Sequence, residues 1–176
     1  ASNLSEVKKA ISEIKKIKTV CEDHNLGFHL DGARLWNALE VTKETPKDYG
    51  AVFDTISVCL SKGLGCPIGS VLIGDSVIME KAIRIRKMLG GGMRQVGVLA
   101  AAGLYALDHH RKRLSEDHRK ANEIGQILQN KSYVAKLQPI ETNILIFELA
   151  SHINPDKFVL NLEKKGVLIS NMGGGK

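Results

Sequence analysis

Asp54-Thr55-Ile56-Ser57-Val58-Cys59-Leu60-Ser61-Lys62-Gly63-Leu64-Gly65 is the stretch whose reading decides the fold class of this chain. Its first half alternates Ile56, Val58 and Leu60 with Ser57 and Cys59, the period of two that marks a β-strand with one buried face. The strand then runs without a break into a lysine set among serine and glycines. Upstream, Phe28-His29-Leu30-Asp31 is a second short strand ending in polar residues, and downstream Gly69 to Gly74 (G-S-V-L-I-G) is a third.

Between and around these strands the pattern is helical. Leu4, Val7, Ile11, Ile14 and Cys21, with lysines and glutamates between them, mark an amphipathic helix stopped by Asn25 to Gly27. Asn3 followed by Glu6 fits a capping box at its start. Val77, Ile78, Ala82 and Ile85 share the face of another helix, which Gly90-Gly91-Gly92 ends. From about Arg94 to Leu107 a helix apolar nearly all round predicts burial on most sides. A charged helix follows, with Leu114, Ile124, Ile127 and Leu128 as its buried positions. In the last third the pattern predicts a strand from Thr142 to Leu149 and a helix opened by Asn154-Pro155 and closed by Gly166. A last strand is predicted from Val167. This alternation is α/β, and its change of character near residues 108–120 divides the chain into 1–110 and 111–176. A start on a helix and a close on Met172-Gly173-Gly174-Gly175-Lys176 fit an internal fragment of a longer protein.

Composition narrows the function classes. With 176 residues, 43% hydrophobic and 25% charged, the chain can bury a substantial core. The longest apolar run, Val96 to Leu107, falls short of the roughly 18–20 residues of a membrane helix. The N-terminus lacks the regions of a signal peptide, so a cytoplasmic protein is expected. The net charge of +6 (25 basic against 19 acidic residues) comes from clusters such as Lys81, Arg84, Arg86, Lys87 and Arg94. No aromatic residues interleave them and acidic or apolar residues break them at helical spacing, which describes solvated helix faces and argues against nucleic-acid binding. Cys21, Cys59 and Cys66 have no metal-finger spacing and suit a reducing compartment. No metal site is expected.

The chemistry is predicted at strand ends. In open α/β sheets, ligands bind beyond the carboxyl ends of strands. Here one such end carries Asp31 and another Lys62, 31 positions apart, a span that allows a crossover with a helix. A lysine amine can attack an aldehyde when it is unprotonated, and nearby glycines let backbone approach a bulky ligand. An aspartate can pair with a pyridinium nitrogen. Lysine and aspartate together are the anchor and the electron-sink partner that pyridoxal 5′-phosphate (PLP) requires. Singly, Asp31-Gly32 reads as a turn and Ser61-Lys62-Gly63 as a loop. The lysine precedes its glycines, so this is not a phosphate-binding P-loop.

His29-Leu30-Asp31-Gly32-Ala33-Arg34-Leu35-Trp36-Asn37-Ala38 closely resembles a signature of the L-threonine aldolases. Ser57 to Gly65, followed by Pro67-Ile68-Gly69-Ser70, is similar to that family's cofactor-lysine segment. Arg86-Lys87-Met88-Leu89-Gly90-Gly91-Gly92-Met93-Arg94-Gln95 resembles a third signature, in the same order and spacing. The resemblance covers roughly residues 1–170 and is strongest from 28 to 107. It implies the aspartate-aminotransferase-like fold: a three-layer large-domain portion, residues 1–110 here, and part of a small α+β domain from 111.

The resemblance also implies roles. Lys62 holds PLP covalently, Asp31 pairs with the pyridine nitrogen, and Ser61 lies near the phosphate. Arg34 reaches the cofactor's phenolic oxygen and the substrate carboxylate. Lys87 and Arg94 reach an active site, the partner subunit's in a homodimer or homotetramer. The implied reaction is cleavage of L-threonine or L-allo-threonine to glycine and acetaldehyde. Family members also use residues before and after this segment, so the chain alone is expected to be inactive. Two rivals stand beside this reading: another PLP-dependent β-eliminating lyase of the same fold, and an inactive truncated homologue with an assembly role. His29 is read as a locally bonded strand residue, and His110 as a surface or packing residue.

Overall fold

The structure is a computed structural model that describes the backbone of residues 4–10 and all atoms of residues 11–173. The expected capping box at Asn3 and Glu6, and the side chains of Leu4 and Val7, lie outside the described residues. Two compact units divide the chain, Ala1–Ser115 and Glu116–Lys176.

The first unit is built on a three-stranded sheet. Its strands are β1 (His29–Gly32), β2 (Thr55–Cys59) and β3 (Ser70–Gly74), in the order β1-β2-β3. β1 and β2 are parallel, with His29 opposite Thr55 and Asp31 opposite Ser57. β3 returns antiparallel on the other side of β2. The parallel pair is joined through α2 (Leu35–Thr42) and α3 (Pro46–Gly50), the crossover that parallel strands need. α1 (Leu4–Asp23) precedes them, α4 (Ser76–Met88) and α5 (Gly97–His109) follow, and a short 3-10 turn spans Arg111–Arg113.

One core cluster forms where the apolar face of β2 meets the helices: Ile56, Val58, Leu35, Leu39, Tyr49, Val52 and Phe53, with Ile11, Ile14, Phe28, Leu30 and Trp36 around them. Ile56 and Val58 are 4% and 3% exposed, and each such burial stabilises the fold by about 1.5–3 kcal/mol. A second cluster, Leu64, Cys66, Ala106 and Leu114, lies beneath the loop after β2. The sheet is tied at its other end. Asp54 accepts hydrogen bonds from the Phe28 backbone N–H and the Lys18 ammonium, both at 2.7 Å, while Phe28 O accepts from Asp54 N at 2.9 Å. The Lys18 ammonium and the Phe28 amide hold the Asp54 carboxyl below its usual range, and Asp54 in turn raises the Lys18 amine. Because these residues precede β1 and β2, they fix the strands' relative register from the start.

The second unit contains α6 (Leu114–Leu128, which begins just before the boundary), β4 (Val134–Leu137), β5 (Phe147–Leu149) and α7 (Pro155–Glu163). β4 and β5 form an antiparallel pair. α7 begins as predicted: the Asn154 side chain accepts from Lys157 N at 3.0 Å and Pro155 occupies the first turn. Gly166, at φ +78°, follows its end.

Five sequence expectations are corrected. Ile124 and Ile127, expected to be buried on the charged helix, are 53% and 60% exposed. The strand predicted from Thr142 shrinks to Phe147–Leu149, since β4 is short and offers pairing only to that segment. No strand forms at Val167; its N–H bonds instead to Leu162 O at 3.0 Å, folding the chain back on the end of α7. α5 starts at Gly97 rather than near Arg94, because Gln95 adopts φ +51°, which no helix can continue through. Nor is α5 buried on most sides. Only Gly103 and Ala106 are buried, while Val98, Leu104 and Tyr105 are 79%, 66% and 58% exposed.

Candidate active site at the edge of the parallel strands

Parallel pairing sends the C-terminal ends of β1 and β2 to one edge of the sheet, and both chemically distinctive side chains arrive there. Asp31 is the penultimate residue of β1, opposite Ser57, and Lys62 stands three residues beyond the end of β2. Adjacent strands run about 4.8 Å apart, so Asp31 lies beside Ser57, and the chain reaches Lys62 five residues further on, past the same end of the sheet. Both are exposed.

Each is shaped by its local backbone. The Asp31 carboxylate accepts from Ala33 N at 3.2 Å, closing the turn that leads into α2. Between them Gly32 is buried, and a Cβ there would stand 2.7 Å from the Ser57 carbonyl oxygen. Only glycine lets β1 come this close to β2 while turning away from it. Arg34, at the N-cap of α2, is exposed on the same turn. His29 bonds locally through Nδ1 to Thr55 Oγ1 at 2.8 Å, as its place in an alternating strand suggests.

The lysine loop is more tightly built. Leu60 N donates to Gly69 O at 3.0 Å, Cys66 N to Leu60 O at 3.1 Å and Gly65 N to Lys62 O at 2.8 Å. Gly65 and Gly69 take φ +71° and +113°, conformations that side chains disfavour. Leu64 is driven into the second core cluster at 2% exposure, which leaves Ser61 and Lys62 facing solvent. Gly63 lies against Leu114 and Asn37: a Cβ there would stand 2.7 Å from Leu114 Cδ2 and 3.3 Å from Asn37 Oδ1. Cys66 Sγ contacts Ala102 O at 3.7 Å and His110 Nδ1 meets Leu64 O at 2.7 Å. The loop is thus anchored by its apolar side and by α5, while its amine is left without a hydrogen-bond partner among the described residues. An exposed amine can condense with an aldehyde, and an exposed carboxylate on the same edge can hold a protonated ring nitrogen.

Lys87 and Arg94 belong to a different feature. Lys87 is in the last turn of α4 and Arg94 in the connection to α5, both exposed. Gly90, at φ +83°, ends α4, and Gly91 N donates back to Arg86 O at 2.8 Å. Gly92 then packs on Lys87, where a Cβ would lie 3.1 Å from Lys87 Cγ. No hydrogen bond joins either cation to the strand edge among the described residues.

Sequence reasoning missed two contributors, His110 and Asn37. Asn37 is 3% exposed, and its place in the first signature carried the signal, a polar residue on the buried face of α2. His110 gave none. It lies 46 positions from Leu64, and only the fold brings them together. Among the described residues no cluster of three or more His, Cys, Asp or Glu is arranged to hold a metal ion, and no helix is long and apolar enough to cross a membrane.

The chain is similar to known proteins in sequence and in fold. The chain is 41% identical over 151 residues to a low-specificity L-threonine aldolase of Candida albicans, covering 85% of this chain and 40% of that one. It is 38% identical over 163 residues to low-specificity L-threonine aldolase 1 of Arabidopsis thaliana, covering 91% and 46%. The chain therefore spans less than half the length of these relatives. The fold matches the solved structure of a Leishmania major threonine aldolase with a TM-score of 0.68 at 20% identity, over 94% of this chain and 48% of that one. That likeness bears out the α/β fold expected from the strand pattern. The family model for beta-eliminating lyases matches residues 9–152, and with that span inside it the chain belongs to the beta-eliminating lyase family.

Proposed function

We propose that this chain carries the cofactor-anchoring part of a PLP-dependent aldolase that cleaves L-threonine or L-allo-threonine to glycine and acetaldehyde. The observation that supports it best is an exposed Lys62 amine and an exposed Asp31 carboxylate leaving adjacent parallel strands at one edge. These residues fit the cofactor: the amine suits its aldehyde, the carboxylate its ring nitrogen, and Gly65 and Gly69 present bare backbone in the loop. When bound, PLP supplies the sink for the electrons of the broken Cα–Cβ bond.

The chain's own residues then take these roles. Lys62 would hold the cofactor through Nζ. Asp31 keeps a proton on the ring nitrogen. Arg34 orients the substrate carboxylate and the phenolic oxygen, and Ser61 donates to the phosphate. Lys87 and Arg94 are assigned to the neighbouring subunit's site in a homodimer or homotetramer. Residues 1–110 are assigned to the large PLP-binding domain and 111–176 to part of the small domain, a division supported by the compact units on either side of Ser115. We also assign the protein to the cytoplasm, which the free thiols of Cys21, Cys59 and Cys66 support.

The test uses the full-length protein. Borohydride reduction after incubation with PLP should add the reduced pyridoxyl mass to the peptide containing Lys62. Lys62→Ala should abolish both this adduct and release of acetaldehyde from threonine. Lys62→Arg should do nearly as badly, since a guanidinium stays protonated. Substantial cleavage by either variant would assign the anchor to a different lysine.

A further inference from the structure

We propose that His110 is a positioning residue that sets the orientation of the loop carrying Lys62. The inference rests on the reading of Lys62 as the cofactor anchor and extends it to a residue outside the three signatures.

One peptide unit links His110 to Lys62. The Leu64–Gly65 peptide has its C=O bonded to His110 Nδ1 at 2.7 Å and its N–H bonded to Lys62 O at 2.8 Å. A carbonyl oxygen only accepts, so Nδ1 carries the hydrogen. The same plane that His110 grips therefore grips the carbonyl of Lys62 itself. Gly65 sits at φ +71°, and a glycine tolerates both signs of φ, so the local backbone does little to choose this orientation. The bond from His110 chooses it.

His110 is well held for this purpose. It is the C-cap of α5, its N–H bonded to Ala106 O at 2.8 Å and its own carbonyl accepting from Arg113 N at 3.0 Å. Its ring meets Tyr105 edge-on, with centroids 5.4 Å apart at 89°. Below, Ala106 and Leu114 pack against Leu64, so the helix that offers the imidazole also receives the loop's apolar anchor. Leu64 fixes where the loop sits, and His110 fixes which way its peptide faces. Lys62 lies two residues before that peptide, so its stem inherits the direction.

Three variants of the full-length protein test this. His110→Asn keeps an amide N–H near the place of Nδ1. His110→Gln is equally polar but carries its amide about one bond further out, and His110→Leu has no donor. In the cofactor-free protein, amide exchange at Gly65 and Cys66 should quicken by about three- to tenfold in the Leu and Gln variants, the worth of one net hydrogen bond. The Asn variant should exchange like wild type. With PLP added, formation of the borohydride-trapped Lys62 adduct should slow by a similar factor in Leu and Gln and recover in Asn. Turnover of threonine should lose kcat while KM stays near wild type. Wild-type exchange at Gly65 in both Leu and Gln variants, or failure of Asn to restore it, overturns the proposal. If the Leu variant does not fold, the comparison of Gln with Asn decides. A wild-type protein that forms no adduct at Lys62 removes the anchor reading instead, an outcome the cofactor-free exchange separates from failure of the His110 bond.

Discussion

Asp54 shows how a single side chain prepares a site that it never touches. Its carboxylate joins the starts of β1 and β2 by accepting from Phe28 N and Lys18. Lys18 first, and then the Phe28 amide, hold its pKa below the usual range. A group whose folded pKa is depressed contributes stability that is present above its unfolded pKa, near 4, and lost as pH falls through the folded value. Asp54→Asn should therefore lower Tm at neutral pH, and the gap from wild type should narrow as pH drops below about 4. Since Lys18 is raised by the same partner, the gap should also narrow as pH climbs through the lysine range above about 10. Thermal melts across pH check this, and a gap independent of pH would reduce Asp54 to a packing role. Asp54 was legible in the sequence only as the residue before a strand. Asp31 and Lys62 were legible because strand ends and their glycines are local features. His110 and Lys18 were not, since their partners lie 46 and 36 positions away.

At the scale of elements, the sheet was the readable part. β1, β2 and β3 each fall within one or two residues of their predicted places, because alternation and flanking glycines are short-range signals. β4, α2 and α3 were not predicted; they are brief and take their form from what they pack or pair with. α5 was misjudged because an apolar composition reports the need for cover, not the presence of it. The close approach of β1 to β2 at Gly32 gives a sharp expectation. Gly32→Ala sets a Cβ 2.7 Å from the Ser57 backbone oxygen, with Leu35 Cβ and Val58 Cγ1 both at 3.3 Å. Strands paired through Asp31–Ser57 cannot separate without giving up the ladder, so the cost should be that of overpacking, about 1–3 kcal/mol. Denaturant unfolding measures the loss. Because the strain falls between Asp31 and the root of the lysine loop, PLP attachment should weaken with it. A stable Gly32→Ala protein that keeps PLP normally would show that β1 can shift without moving the site.

At the scale of the whole molecule, the exposed residues raise the question of what completes the edge. Among the described residues, Asp31 and Lys62 have no cationic neighbour bonded to them, and Lys87, in the last turn of α4, and Arg94, on the α4–α5 connection, have no bonded anion. The proposed homo-oligomer joins these two deficits, with one subunit's cations serving the other's strand edge. Arg94→Ala should then retain PLP poorly, as should Lys62→Ala. In a mixed dimer of the two, one site has an intact Lys62 facing an intact Arg94, and the second site has neither. Random pairing makes about half of the dimers hybrids, each with one working site, so a fully active interface yields about a quarter of wild-type specific activity. If Arg94 served its own chain's site, both sites of every hybrid would carry one defect and mixing would recover nothing. Dialysis of the two denatured variants together, followed by assay of acetaldehyde release, separates the cases. Recovery near a quarter assigns Arg94 to the partner's site. No recovery, beside an Arg94→Ala homodimer that binds PLP normally, makes it a residue of the α4–α5 turn alone.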